Sequence, residues 1–170
     1  MKGKYWVLLI IFILIVSLDQ WTKHTIQQKL PLHRAVEVIP GFFNLTHVRN
    51  TGGAFGIFGG NRGGLSSLMF VMVSLIAIGA ILVLFIKAKE DEKNLALSFS
   101  LVLSGATGNL IDRLRYGEVI DFLEFYVSSF HWPSFNIADS AICIGVGLMA
   151  LELFIRDRRK STKSKTPNHK

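Results

Sequence analysis

LSSLMFVMVSLIAIGAILVLFI, the stretch from Leu65 to Ile86, contains no charged residue. A helix rises about 1.5 Å per residue, so about 20 residues cross a hydrocarbon core of roughly 30 Å, and this stretch is long enough by itself. Three further apolar blocks flank it, Tyr5–Leu18, Leu95–Leu110 and Ile137–Ile155. The first and third are short unless neighbouring polar residues enter the membrane with them. Such residues do so only by facing the bundle interior or an aqueous cavity. The chain is therefore predicted to be an all-α membrane protein with spans at about 5–24, 65–86, 94–112 and 137–155. Its 170 residues are 50% hydrophobic, with a mean hydropathy of +0.40, both high for a soluble domain.

Lys2 and Lys4 precede the first block as they would in a secretory signal, but no small-residue cleavage pattern follows. The block runs into Leu18-Asp19-Gln20-Trp21 instead, which predicts a retained helix. The single cysteine, Cys143, excludes disulfides and cysteine metal clusters within one chain and is expected to be a small buried apolar residue. The net charge of +7 raises the possibility of nucleic acid, but its distribution argues against that partner. Basic residues gather at Lys2 and Lys4, at Lys87, Lys89 and Lys93, and from Arg156 to Lys170. The positive-inside rule makes these clusters and both termini cytoplasmic, and turns the two longer connections outward. Residues 1–159 are read as one membrane domain, with 160–170 a basic, disordered cytoplasmic tail held near anionic lipid.

The first outer connection, about 30–64, alternates at Ala35–Ile39 and Phe42–Val48 around Pro40-Gly41. This predicts two short strands and a small extracytoplasmic β-sheet in that loop. The glycine-rich run Gly52–Gly64 lacks the Lys-Ser/Thr ending of a phosphate loop and reads as a flexible or closely packed connection. Asn94 is expected to cap the third helix, and Ser134 or Asn136 the fourth. The five histidines, placed mainly in outer loops or the tail, fall at no metal-ligand spacing and are assigned no chemistry.

Acids and amides collect at the outward ends of the spans: Asp19, Asn109, Asp112 and Asp139, with Asp121 between them. An ionisable group at a membrane boundary is a functional candidate, with capping and ion pairing as the alternatives. Asp139 stands three residues after Asn136, where helix capping is an equally good reading. Asp112, beside Arg113, is read first as half of an orienting ion pair, and Asp19 can pair with Lys23 one turn on. Asp121, set in Val119-Ile120-Asp121-Phe122-Leu123, gains nothing from its apolar neighbours unless it has a partner or a raised pKa. Two carboxylates in a poorly solvated site tend to share one proton, the condition for aspartic protease chemistry. The spacing of Asp121 and Asp139 does not by itself establish contact. Phe55, Phe58, Phe122, Phe125 and Trp132 read as interfacial aromatics able to touch lipid.

The chain resembles the bacterial lipoprotein signal peptidases, also called signal peptidase II. The likeness runs from about Asp19 to Leu151 and rests on five ordered segments: Asp19-Gln20-Trp21-Thr22-Lys23, Asn50-Thr51-Gly52-Gly53-Ala54-Phe55-Gly56, Gly108-Asn109-Leu110-Ile111-Asp112-Arg113, Val119-Ile120-Asp121-Phe122 and Phe135-Asn136-Ile137-Ala138-Asp139. Gly53 departs from the alanine more usual there. The resemblance implies that Asp121 and Asp139 form the catalytic dyad of a membrane aspartic endopeptidase. Asp19, Lys23, Asn50, Asn109, Asp112, Arg113 and Asn136 would line or brace the site. The implied substrates are diacylglyceryl-modified prolipoproteins, cut immediately before the lipidated cysteine in the bacterial inner membrane. Such an enzyme requires no metal or organic cofactor, works among membrane lipids, and is expected to be a monomer.

Two other classes fit four spans with boundary acids. A proton-coupled transporter requires an ionisable group near the bilayer midplane, which the second and third spans lack. A noncatalytic lipid-binding subunit tolerates amides in place of Asp121 and Asp139.

Overall fold

A computed structural model describes residues 3–52 and 65–164. The glycine-rich connection Gly52–Gly64 falls mostly outside these, as do Phe55, Phe58 and the departure at Gly53. Four helices, α1 (Gly3–Lys29), α2 (Leu65–Lys87), α3 (Lys93–Tyr116) and α4 (Ile137–Ser164), are long and apolar enough to cross a membrane. The chain is a multi-pass membrane protein. Helix α3 lies at the centre and packs against each of the others. Its position explains its composition: α2, largely uncovered by protein, has the most apolar window, with mean hydropathy 3.0, whereas mostly buried α3 has 1.3. Within α3 the hydroxyls of Ser98, Ser100 and Ser104 are buried and donate to the carbonyls of Asn94, Ala96 and Ser100, so none is left unpaired in an apolar setting. Asp112, which flanks the short third block, is buried too, as the length of that block leads one to expect.

Close approach of α3 and α4 depends on Gly105, where an added Cβ would lie 2.3 Å from the carbonyl oxygen of Ala138. At the end away from the sheet, Lys4 of α1 is buried and its ammonium donates to the carbonyls of Phe85 (3.3 Å) and Ile86 (3.0 Å) at the end of α2. Those carbonyls lie in the last turn of α2, where intrahelical donors run out, and a cation there also meets the negative helix end. At the same end Arg156 pairs with both Glu92 and Glu152. Asn94 donates to Glu152 at 2.9 Å and does not cap α3, whose N-cap position is Glu92 without a side-chain bond. The long amide side chain reaches α4 because the two helices run side by side.

The sheet has four antiparallel strands in the order β1 (Ala35–Ile39), β2 (Phe43–Asn50), β3 (Val119–Val127) and β4 (Phe130–His131). Pro40 and Gly41 make the expected β1–β2 turn, but half of the sheet comes from the connection between α3 and α4 and not from the first loop. Gly117 ends α3 in the left-handed conformation, at φ 76°, with its N–H on the Arg113 carbonyl. The chain then turns directly into β3, which aligns Val48 with Asp121 and Asn50 with Val119. His47 is buried in β2, its Nδ1 2.8 Å from the Leu30 carbonyl oxygen, and ties the sheet to the end of α1. Phe122 is buried, whereas Phe125 and Trp132 are exposed as interfacial aromatics would be. Cys143 is exposed on α4, contrary to the expectation of burial: in a four-helix bundle the outer faces meet lipid, not protein. Helix α4 continues through Ser164, past the boundary expected at 159, because neither proline nor glycine occurs between Arg159 and Pro167.

Candidate active site

At the sheet end of the bundle, α4 begins with a reciprocal cap. The backbone N–H of Asp139 donates to Asn136 Oδ1 (2.9 Å), while the N–H of Asn136 donates to Asp139 Oδ2 (3.2 Å). This is the capping-box arrangement with aspartate in the acidic position. The capping reading of Asp139 is therefore correct, and it leaves Oδ1 to accept from Asn109 Nδ2 at 2.7 Å.

The amide nitrogen of Asn136 points the other way, to Asp121 Oδ1 at 2.7 Å, with Asn109 Oδ1 and the Ile120 carbonyl each at 3.2 Å. Asn136 thereby joins the acid of β3 to the acid of α4, one through its side-chain nitrogen and the other through its backbone and side-chain oxygen. The second oxygen of Asp121 accepts from Asn50 Nδ2 at 2.9 Å, an amide that β2–β3 register brings alongside. Asp121 is only 2% exposed. Its pKa is pushed up to about 6, chiefly by burial; the Asn50 and Asn136 bonds oppose the rise and the nearby Asp139 charge adds to it.

Behind the two acids lies a buried triad. Lys23 Nζ is 2.8 Å from Asp19 Oδ2, 2.8 Å from Asp112 Oδ2 and 3.0 Å from Asn109 Oδ1, so each of its three N–H groups has an acceptor. Asp19 and Lys23 are one turn apart on α1 and pair as expected. Asp112 pairs with Lys23 and not with its sequence neighbour Arg113, because adjacent helical residues point about 100° apart. Arg113 reaches toward α2, with Nη1 3.4 Å from Ser74 Oγ. Asp19 Oδ1 also accepts the Ala138 N–H at 3.0 Å, and Asp112 Oδ2 the Ile120 N–H at 3.2 Å. Thus α1 and α3 grip the backbone beside both candidate acids. Asp19 fits only because residue 108 is glycine: a Cβ there would stand 2.6 Å from Asp19 Oδ2.

All nine residues singled out from the sequence lie at this end of the bundle, and eight are joined in one hydrogen-bonded cluster, with Arg113 at its edge. Gln20 belongs to the cluster but was given no role. Its position directly beside Asp19, within the quoted motif, was the available signal. Among the described residues no group of three or more His, Cys, Asp and Glu side chains is arranged to hold a metal ion.

Fold and site together define a multi-pass membrane protein with a buried carboxylate and amide centre where helix ends meet a sheet. A family model described as signal peptidase (SPase) II matches residues 11–155, and the chain belongs to that family, which makes it a peptidase. A lipoprotein signal peptidase of Geobacter metallireducens is 44% identical over 163 residues, covering 96% of this chain and 99% of that protein. One of Syntrophus aciditrophicus is 45% identical over 148 residues, covering 87% and 92%. A solved structure described as a bacterial membrane enzyme, determined by the in meso method at 2.3 Å resolution, superposes with a TM-score of 0.78 at 34% identity, covering 96% of this chain and 93% of that one. A second, at 1.9 Å resolution, gives 0.75 at 35% identity, covering 86% and 91%.

Proposed function

We propose that the chain is an aspartic endopeptidase that removes the signal peptide from diacylglyceryl-modified prolipoproteins by cutting immediately before the lipidated cysteine. The observation that carries this reading is the pairing of buried Asp121 with half-buried Asp139 through Asn136. The relatives named as lipoprotein signal peptidases support the substrate class.

In this reading the two acids share one proton. Burial favours its residence on Asp121. The ionised partner takes a proton from water as the water oxygen attacks the scissile carbonyl carbon. The protonated acid donates to the carbonyl oxygen. Collapse of the tetrahedral intermediate breaks the C–N bond, and the amine of the lipidated cysteine leaves with a proton returned by the pair. Asn50, Asn109 and Asn136 hold the acids in place, while Asp19, Lys23 and Asp112 fix Asn109 and the backbone on which the acids stand. Arg113, at the edge, supplies positive charge toward the reacting groups.

The basic clusters around Lys4, Lys87, Lys89 and Arg156 sit at the bundle end away from the sheet, which supports cytoplasmic termini and a site at the outer face of the inner membrane. There the acyl chains of a lipidated substrate stay in the bilayer while its peptide meets the dyad, so little positional freedom remains to be lost. Residues 1–159 act as one unit, followed by the basic tail. Every proposed group comes from one chain, in keeping with a monomer.

The test is incubation of purified protein with a lipidated prolipoprotein and its unlipidated counterpart. Cleavage of the lipidated form alone is expected, with none by Asp121→Asn or Asp139→Asn. Normal processing by either folded variant would sink the dyad.

A further inference from the structure

On the other side of β3 from the paired acids is a cleft of ≈ 310 Å³ whose lining includes Gln20, Lys23, Asp112, Arg115 and Ile120. Ile120 and Asp121 are neighbours in a strand, so their side chains point to opposite faces, one into the cleft and the other into the site. Gln20 lines the cleft beside two members of the triad, Lys23 and Asp112. Its Nε2 lies 2.9 Å from Asp112 Oδ1, 3.2 Å from Asp19 Oδ2 and 3.2 Å from the Gly108 carbonyl oxygen. Its Oε1 accepts from Arg115 Nη1 at 3.4 Å, which fixes the nitrogen toward the acids.

The triad holds two carboxylates and one ammonium, and the carboxylates repel. A neutral donor placed between them lets both stay on the same Lys23 ammonium. Without it, Lys23 follows one acid and its 3.0 Å bond to Asn109 Oδ1 is strained or lost. That bond, together with the weaker 3.2 Å donation from Asn136 Nδ2 to the same oxygen, sets which way the Asn109 amide faces, because an amide presents a donor on one side and an acceptor on the other. With its oxygen held by Lys23, Asn109 turns Nδ2 to Asp139; flipped, it would set an oxygen against the carboxylate.

We propose that Gln20 is a positioning residue of the reaction, holding the Asp19–Lys23–Asp112 triad in the arrangement that keeps the Asn109 amide donating to Asp139. This rests on the aspartic peptidase reading above.

Two variants test it. Gln20→Met keeps the length and removes the donor; Gln20→Glu keeps the shape and adds a charge. With lipidated prolipoprotein as substrate and rates expressed per folded molecule, both are expected to lower kcat by about tenfold to a hundredfold, as small misplacements of catalytic groups do, with KM little changed. Gln20→Glu should also move the pH profile of kcat/KM to higher pH, since added negative charge favours the protonated acids. Should Gln20→Glu not fold, the Gln20→Met split between kcat and KM decides. Side-chain amide NMR signals of labelled Asn109 should shift in Gln20→Met, a readout independent of cleavage. Unchanged kcat per folded molecule together with unmoved Asn109 signals overturns the proposal. A wild-type protein that leaves lipidated prolipoprotein uncut, while Asn109 still responds to Gln20→Met, overturns the peptidase reading instead and leaves the positioning standing.

Discussion

Replacing Asp121 with asparagine should change the pH dependence of stability as well as activity. The folded protein holds the Asp121 proton more tightly than the unfolded chain does, with a pKa of about 6 against an ordinary 3.8. A raised carboxylate pKa means that this group's contribution is most favourable below about pH 4 and declines as pH rises toward 6. Above that the ionised acid is a constant penalty to the fold. Multiplying the 2.2-unit difference (6 − 3.8) by about 1.36 kcal/mol per unit gives a penalty on the order of 3 kcal/mol. Asparagine cannot ionise and so never incurs it. Asparagine does bring a fixed cost, because Asn50 and Asn136 both donate to residue 121 and an amide offers only one oxygen, about 1–3 kcal/mol for the unmatched group. That offset does not titrate. Relative to wild type, the variant should therefore gain about 3 kcal/mol between pH 4 and pH 8, or roughly 6–12 °C in Tm at 2–4 °C per kcal/mol. Thermal denaturation of both proteins in detergent across that range measures it. A Tm difference that stays flat with pH would refute the buried, proton-holding Asp121, whatever the variant does to catalysis.

Three further outcomes follow from the packing. Lys23→Met leaves Asp19 and Asp112 buried without their cation and should destabilise by about 3–5 kcal/mol; adding Asp19→Asn and Asp112→Asn should restore much of the lost Tm. Gly105→Ala forces α3 from the Ala138 carbonyl at a cost of about 1–3 kcal/mol, whereas Gly79→Ala, with nothing within 4 Å of the new Cβ, should leave Tm unchanged. Lys4→Met removes the donors to the Phe85 and Ile86 carbonyls, and at about 1 kcal/mol each should lower Tm without altering kcat per folded molecule, since Lys4 is at the other end of the bundle.

Number and approximate extent of the spans were legible because lipid demands length and apolarity that leave a strong mark on sequence. The shortness of the Leu95–Leu110 block even indicated that polar residues flanking it turn inward, as buried Asp112 does. Strand β3 was harder to see. Val119–Val127 is rich in β-branched and aromatic residues, yet both faces of its first half are covered, so no clean polar alternation marks it. Gly117 and the Val-Ile-Asp-Phe-Leu-Glu-Phe-Tyr-Val run were the available cues. The Asp112–Lys23 pair was illegible for another reason: it joins residues 89 positions apart (112 − 23) on different helices, and sequence adjacency favoured Arg113, which points elsewhere.

What separates the proposed dyad from the other acids is the company each carboxylate keeps. Asp19 accepts from Lys23, Gln20 and the Ala138 N–H; Asp112 accepts from Lys23, Gln20 and the Ile120 N–H. Each has three donors, one of them a cation, and little capacity left to accept another bond. Asp121 and Asp139 accept two bonds each, all from amides: Asn50 and Asn136 for one, Asn109 and the Asn136 backbone for the other. Among the described residues neither takes a hydrogen bond from a cation. Amide donors orient a carboxylate without committing it to ionisation, and each acid retains lone pairs for a water or a shared proton. In the proposed reading, reactivity comes from that lack of cationic partners, while the fully paired acids hold the frame. If the distinction is sound, replacing Asp112 by asparagine should damage stability more than it damages kcat per folded molecule, and replacing Asp139 should do the reverse.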